Sequence, residues 1–189
     1  MTAAARHPPA PVSIDEFIAW RDQPSLGGRY ELYDGAIVQM SPERAAHGDV
    51  KGQIYYLFRQ AIRHAKLACR VMTDGMAVPV GDNSVFEPDA LVYCGTRLGR
   101  GEALVRNPVI VVEVVSPSSA RRDRHEKIIG YFNNGSVQHY LVVLIERQLV
   151  VHHRREPGGG IHTRIMANGD LSLDPPGLVL PVAEIFEDF

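Results

Sequence analysis

Two short apolar runs, each with one acidic residue, constrain this chain more than any other feature. They are Pro88-Asp89-Ala90-Leu91-Val92 and Ile110-Val111-Val112-Glu113-Val114-Val115. Their β-branched and apolar composition predicts two buried strands. A carboxylate within such a strand is costly to desolvate unless a positive group meets it. If the strands are neighbours, Asp89 and Glu113 can hold a divalent cation, because hard cations such as Mg²⁺ take carboxylate oxygens.

The overall composition is that of a globular protein. Of the 189 residues, 45% are hydrophobic and 22% are charged, and the formal net charge is −2. No apolar run approaches the roughly 20 residues that cross a membrane. Residues 1–12 lack the apolar stretch of a secretory signal. We therefore predict a cytoplasmic protein, with a disordered lead over residues 1–12 and one domain over residues 13–189.

The two cysteines, Cys69 and Cys94, have no metal-ligand spacing and suggest no disulfide framework. Cys94 follows Val92 and Tyr93 in a strand-like run. The sequence therefore favours a buried, reduced thiol at Cys94.

Local signals predict helices that alternate with groups of strands. Ser13-Ile14-Asp15-Glu16 is a capping box that opens a helix, and Asp34-Gly35 is a hairpin turn. Apolar residues recur at helical spacing from about His47 to Lys66, and another helix is predicted from Ala120 to Asn133. Further predicted strands cover residues 69–73, 76–80, 138–145, 148–153 and 161–166. This order indicates an α/β fold class (α+β, mixed sheet) with a central sheet flanked by helices.

An ordered set of motifs resembles the PD-(D/E)XK nuclease superfamily, and most closely its Uma-two-type branch of restriction-endonuclease-like proteins. Pro88-Asp89 on one strand and Glu113 between valines on the next carry the resemblance. The other motifs are Tyr30-Glu31-Leu32-Tyr33-Asp34-Gly35, Met40-Ser41-Pro42, His47-Gly48, Ser116-Pro117-Ser118, Asp123, Lys127, Tyr131, Gly135 and Tyr140. The resemblance covers roughly residues 13–150. It implies a restriction-endonuclease-like core, a central mixed β-sheet flanked by helices, and hydrolysis of DNA phosphodiester bonds.

The resemblance also implies a metal centre. Asp89 and Glu113 would be ligands of Mg²⁺ or Mn²⁺, and the backbone carbonyl of Val114 would complete the set. Glu31 resembles an additional acid that contacts the metal directly or through water, and its alternative is a surface position on the hairpin. Such a metal lowers the pKa of a bound water and neutralises the scissile phosphate.

The lysine that commonly lies two residues after the strand acid is missing, because Val115 stands at that position. The branch carries a lysine on the following helix instead, and Lys127 matches it. Asp123, Lys127 and Tyr131 are spaced i, i+4, i+8 and therefore share one helical face, so Asp123 and Tyr131 are candidate residues of the cleft. In the catalytic interpretation Lys127 orients the attacking water and stabilises charge on the phosphate. In the alternative, Asp123 and Lys127 form an ordinary surface salt bridge.

His47 opens the long predicted helix, where it either faces the cleft or is a cap or surface residue. A basic cluster precedes Lys127 and comprises Arg121, Arg122 and Arg124. These arginines either contact the DNA backbone or form a solvated face, since a net charge of −2 is not that of a strongly electrostatic nucleic-acid binder. The serines of Ser116-Pro117-Ser118-Ser119 indicate helix capping rather than a nucleophile.

The sequence therefore predicts a metal-dependent DNA endonuclease without membrane association. Two alternatives stay open: a non-catalytic member of the fold that binds DNA or protein, and a small-molecule phosphohydrolase. A homodimer is expected, because two active sites related by a two-fold axis can cut both strands of a duplex.

Overall fold

The structure is a computed structural model that describes residues 10–23, 26–115 and 123–187, without the side chains of residues 123 and 124. Within these residues the α-helices are α1 (Ile14–Arg21), α2 (Ala45–His64) and α3 (Asp123–Asn133). The predicted capping box opens α1: Ser13 Oγ accepts from the backbone N–H of Glu16, and the Glu16 carboxylate accepts from the N–H of Ser13. None of the described helices is long and apolar enough to cross a membrane.

Strands make up most of the remaining regular structure. In chain order they are β1 (Tyr30–Tyr33), β2 (Ala36–Gln39), β3 (Cys69–Thr73), β4 (Val78–Pro79), β5 (Val85–Phe86), β6 (Ala90–Cys94), β7 (Pro108–Val115), β8 (His139–Leu144), β9 (Leu149–Arg155), β10 (Ile161–Met166), β11 (Asp170–Leu173) and β12 (Leu178–Pro181). Short 3₁₀ turns follow β8 and β12. β11 and β12 form an antiparallel pair.

The main sheet has the strand order β10-β9-β8-β7-β6-β3. β7 and β8 run parallel and the other pairs are antiparallel, so the sheet is mixed as predicted. β7 is central and apolar on both faces, which is typical of a strand covered on both sides. Val112 and Val114 pack in the core cluster beneath α2, whereas Val111 packs in the cluster that includes Tyr131 and Phe132 of α3. The two helices therefore lie on opposite faces of β7.

A second, smaller antiparallel sheet has the strand order β2-β1-β5-β4. Asp34 and Gly35 have φ values of 46° and 80°, which a tight hairpin turn of the predicted type requires. Side chains alternate along β1, so that Leu32 packs with Trp20 of α1 and Tyr33 packs on Phe86 at a ring-centroid distance of 4.6 Å. Glu31 has the same parity as Tyr33 and points toward α3.

The expectation of a reduced thiol at Cys94 is wrong. Cys69 and Cys94 form a disulfide, with their Cα atoms 3.9 Å apart. The reason is the antiparallel register of β3 and β6, which sets Cys69 directly opposite Cys94. A register between strands that are distant in the chain cannot be deduced from cysteine spacing alone.

The disordered lead predicted for residues 1–12 differs from the structure at its C-terminal end, residue 12. Val12 is 2% exposed, and its N–H donates to the carbonyl of Gly35 at 2.9 Å. Packing therefore begins before residue 13, while residues 1–9 lie outside the described residues.

Candidate active site

The two acids singled out by the sequence lie side by side at one end of the main sheet. Ala90 pairs with Val112 across the antiparallel β6 and β7, so Asp89 lies opposite Glu113. Asp89 and Glu113 are only 4% and 7% exposed. The Asp89 Oδ2 atom accepts a hydrogen bond from the backbone N–H of Val114 at 2.7 Å. The strand register therefore places the two acids opposite each other on neighbouring strands, and the charge of Asp89 acts on Glu113.

A lysine from α3 joins the acid of the main sheet to the acid of the small sheet. Lys127 Nζ donates to Glu113 Oε1 at 2.9 Å and to Glu31 Oε1 at 3.1 Å. Glu31 Oε1 also accepts from the backbone N–H of Glu87 at 2.7 Å. Tyr131, one turn beyond Lys127, donates its hydroxyl to Glu113 Oε1 at 2.5 Å. We call Glu31, Glu113, Lys127 and Tyr131 the acid–lysine cluster.

The acid–lysine cluster is short of positive charge. Burial raises the pKa of Glu113 to about 8, and the carboxylates of Asp89 and Glu31 add to this rise. Lys127 and the Tyr131 hydroxyl act in the opposite direction without cancelling it. A buried carboxyl that keeps its proton near neutral pH marks a place where one more cation would be stabilised.

His47 of α2 approaches the same strand ends from the other face of the sheet. Its Nε2 atom lies 2.8 Å from the carbonyl oxygen of Val114 and 3.4 Å from Asp89 Oδ2. A carbonyl oxygen only accepts, so Nε2 carries a hydrogen in this state. The hydrogen bond and charge of Asp89 raise the pKa of His47. Burial alone would raise the pKa of Asp89, but His47 and the Val114 N–H hold it below its usual value.

A further group of charges, which the sequence analysis missed, surrounds His47. Glu43 Oε1 lies 3.7 Å from His47 Nδ1 and accepts from Arg29 Nη1 at 2.7 Å. Lys51 donates to both Glu43 and Asp74. The sequence did carry a signal for Glu43 and Lys51, because residues 43, 47 and 51 have the same i, i+4, i+8 spacing as residues 123, 127 and 131. No local pattern joins Arg29 or Asp74 to this helix.

The donor atoms at this place suit a divalent cation. One ligand atom each from Glu43, His47 and Asp89 lie within 4.8 Å of one another. Among the residues described, the buried Nδ1 atom of His47 has no hydrogen-bond partner. Carboxylate oxygens and an imidazole nitrogen together fit Mn²⁺ and similar ions, and carboxylate oxygens alone fit Mg²⁺.

The remaining predicted residues divide by what the structure describes. Val115 is the last residue of β7, so the strand position at which a lysine is common holds a valine. Arg121 and Arg122 lie outside the described residues, and so do the capping serines 116, 118 and 119. The helix positions of Asp123 and Arg124 are described, but their side chains are not. The basic cluster and the cleft position of Asp123 therefore stay predictions.

Comparison with known proteins gives one family and one fold. The model of the Uma2 family, described as "putative restriction endonuclease", matches residues 14–183. An uncharacterized protein of Synechocystis sp. is 25% identical in an alignment of 187 positions, which covers 96% of this chain and 96% of that protein. A crystal structure from Anabaena variabilis, described as "a putative nuclease belonging to DUF820", has a TM-score of 0.71 at 18% identity and covers 93% of this chain and 98% of its own. The chain belongs to the Uma2 family, and its mixed sheet flanked by helices has the restriction-endonuclease-like fold.

Proposed function

We propose that this protein is a metal-dependent endonuclease that hydrolyses phosphodiester bonds of DNA. The observation that carries the proposal is the buried hydrogen-bonded group of Glu113, Glu31 and Lys127, together with the buried Asp89 on the neighbouring strand, whose charge acts on Glu113. These residues come from the main sheet, the small sheet and α3, so no single element accounts for their meeting. Membership in a family described as restriction endonucleases supports the same reaction class.

The cation would be held by Asp89, Glu113 and the Val114 carbonyl, with Glu31 and His47 as further candidate ligands. Mg²⁺ or Mn²⁺ bound there supplies a water of lowered pKa and neutralises the phosphate. The raised pKa of Glu113 supports this assignment, because an added cation favours its charged form.

Lys127 supplies the positive charge that Val115 cannot. Its ammonium group is held by two carboxylates, so its position is fixed before substrate arrives. A fixed cation beside the scissile phosphate orients the nucleophile and stabilises charge that develops on the phosphate oxygens. The acid–lysine cluster therefore combines metal ligation at Glu113 with charge stabilisation at Lys127.

The DNA backbone would contact the basic cluster of Arg121, Arg122 and Arg124, which lies three to six residues before Lys127 in the sequence. Phosphate contacts of this kind make binding weaker as salt rises. For cleavage of both strands, two copies related by a two-fold axis would each contribute one centre.

The test is cleavage of supercoiled plasmid by the purified protein with Mn²⁺ or Mg²⁺, beside the variants Asp89→Asn, Glu113→Gln and Lys127→Met. We expect each variant to lose at least about 100-fold in rate, because each removes a metal ligand or the charge at the phosphate. Asp170→Asn, the same chemical change at an exposed position of β11, is the matched control and should cleave like the parent.

Nucleotides and single-stranded DNA are assayed in parallel. Hydrolysis of nucleotides with no cleavage of DNA would replace the proposal by a small-molecule phosphohydrolase. Equal cleavage by the parent and by Asp89→Asn would contradict the proposed centre.

A further inference from the structure

We propose that Glu43 is a positioning residue of the metal centre, which acts through His47 and makes the centre selective for Mn²⁺ over Mg²⁺. The inference rests on the proposed function only in requiring a divalent cation at Asp89. It concerns His47 in α2 and Glu43 just before α2, on the face of the main sheet opposite Lys127.

The first step is the place that His47 occupies. Its Nε2 atom lies 2.8 Å from the Val114 carbonyl oxygen and 3.4 Å from Asp89 Oδ2. These are the two oxygens that a cation at Asp89 would use, so the Nε2–H group stands beside the ligand position. Binding of a cation at Nε2 would require the hydrogen on that nitrogen to leave. It would go to solvent from a doubly protonated ring, and a neutral ring would take up a hydrogen on Nδ1 in exchange, so that the Nε2 lone pair would become a ligand. Imidazole nitrogen suits Mn²⁺ better than Mg²⁺, which prefers oxygen ligands and retained water.

The second step is the role of Glu43 behind the ring. Glu43 Oε1 lies 3.7 Å from His47 Nδ1, which is buried and has no hydrogen-bond partner among the described residues. A carboxylate on that side favours a hydrogen on Nδ1 and leaves the lone pair on Nε2. Carboxylates that back metal-bound histidines in this way orient the ring and increase its basicity.

The third step is the fixation of Glu43 itself. Its Oε1 atom accepts from Arg29 Nη1 at 2.7 Å and from the ammonium group of Lys51. Lys51 is 6% exposed, and the Nε atom of Arg29 is bound to Glu87 at 2.7 Å. Both cations are therefore anchored, and Glu43 is kept beside His47 although it is about one-third exposed.

The test is calorimetric titration of Mn²⁺ and of Mg²⁺ into the parent protein, Glu43→Gln and Asp74→Asn. Asp74 is the matched control, because it also accepts from Lys51 and is equally exposed, whereas the contact with His47 belongs to Glu43. We expect the parent to bind Mn²⁺ at least 10-fold more tightly than Mg²⁺. Glu43→Gln should weaken Mn²⁺ binding by about 10-fold or more and Mg²⁺ binding by less than about 3-fold. Asp74→Asn should leave the ratio unchanged.

A second measurement needs no substitution at Glu43. The nitrogen-15 NMR signals of the histidine rings are recorded before and after addition of one equivalent of diamagnetic Zn²⁺. The His47→Gln variant identifies which signals belong to His47. Movement of the Nε2 signal, with a hydrogen retained on Nδ1, is the expected result. An unmoved Nε2 signal overturns the inference, and so does an equal loss of Mn²⁺ and Mg²⁺ affinity in Glu43→Gln.

These readouts separate the inference from the proposed function. A Mn²⁺ preference that depends on Glu43 supports the inference even if no DNA is cleaved, in which case only the proposed function fails. Cleavage with equal affinity for the two metals in the parent protein overturns the inference alone.

Discussion

At the scale of single residues, the geometry of Glu113 is set by two donors from one helix. Lys127 and Tyr131 are one turn apart on α3, and both donate to Glu113 Oε1. Tyr131 is fully buried, and burial raises its pKa well above the usual value, so its hydroxyl remains a donor. The tyrosine therefore holds the carboxylate in one orientation without adding charge.

Tyr131→Phe should remove this orientation and little else. We expect kcat for DNA cleavage to fall about 10-fold, as for loss of a hydrogen bond to a metal ligand, while the free energy of unfolding changes by about 1 kcal/mol. Tyr93→Phe is the control, because Tyr93 is also a buried residue and its hydroxyl accepts a long, part-buried hydrogen bond of 3.4 Å from the backbone N–H of Leu98. Steady-state kinetics and urea unfolding measure both effects. An unchanged kcat in Tyr131→Phe would show that Lys127 alone suffices.

At the scale of elements, the position of α3 depends on a close approach to the small sheet. Gly130 lies between Lys127 and Tyr131, and a Cβ atom there would be 2.4 Å from the ring of Phe86. Phe86 is held by the rings of Tyr33 and Tyr131 and cannot yield easily. The far end of α3 is fixed by Arg155 of β9, whose Nη2 donates to the carbonyl of Phe132 at 2.7 Å.

Gly130→Ala should therefore displace α3 from the sheet. Overpacking costs about 1–3 kcal/mol, and the gain in helix propensity returns about 1 kcal/mol. We expect the free energy of unfolding to fall. We also expect the cleavage rate to fall by more than the loss of folded protein explains, because Lys127 moves with the helix. Gly52→Ala in α2 is the control, since nothing lies within 4 Å of its Cβ position, and it should stabilise the protein slightly. Denaturant unfolding and cleavage assays of both variants distinguish the two results.

At the scale of the whole molecule, the centre lies where α2, α3 and the two sheets meet, and this explains which parts could be predicted. Asp89 and Glu113 were singled out because each is an acid in an apolar strand, whereas Lys127 was singled out by the family resemblance. Arg29 and the partner of Cys69 were not found, because they depend on contacts between segments distant in sequence. Local patterns predict elements well, while strand register and the packing of helix ends follow from the complete fold.

Stability against acid is also a property of the whole molecule, because a buried histidine pair joins β8 and β9 to the chain near β12. His139 Nε2 donates to the carbonyl of Pro175 at 2.9 Å, and its Nδ1 accepts from His152 Nε2 at 2.9 Å. Burial lowers the pKa of both histidines to about 4. Both are therefore neutral in the folded protein at neutral pH.

In the unfolded chain these histidines titrate near pH 6.5, so between that pH and about 4 the unfolded state binds more protons. Their contribution to stability is present above pH 6.5 and is lost as the pH falls toward 4. We expect the free energy of unfolding to be lower at pH 5 than at pH 7 by about 2 kcal/mol for each histidine, which is about 4 kcal/mol for the pair. His152→Gln keeps a donor to His139 but removes one titrating ring, so its loss should be about half as large. His162→Gln, at an exposed position of β10, should lose as much as the parent. Urea unfolding at both pH values decides, and an equal loss in His152→Gln and the parent would assign the acid sensitivity to other groups.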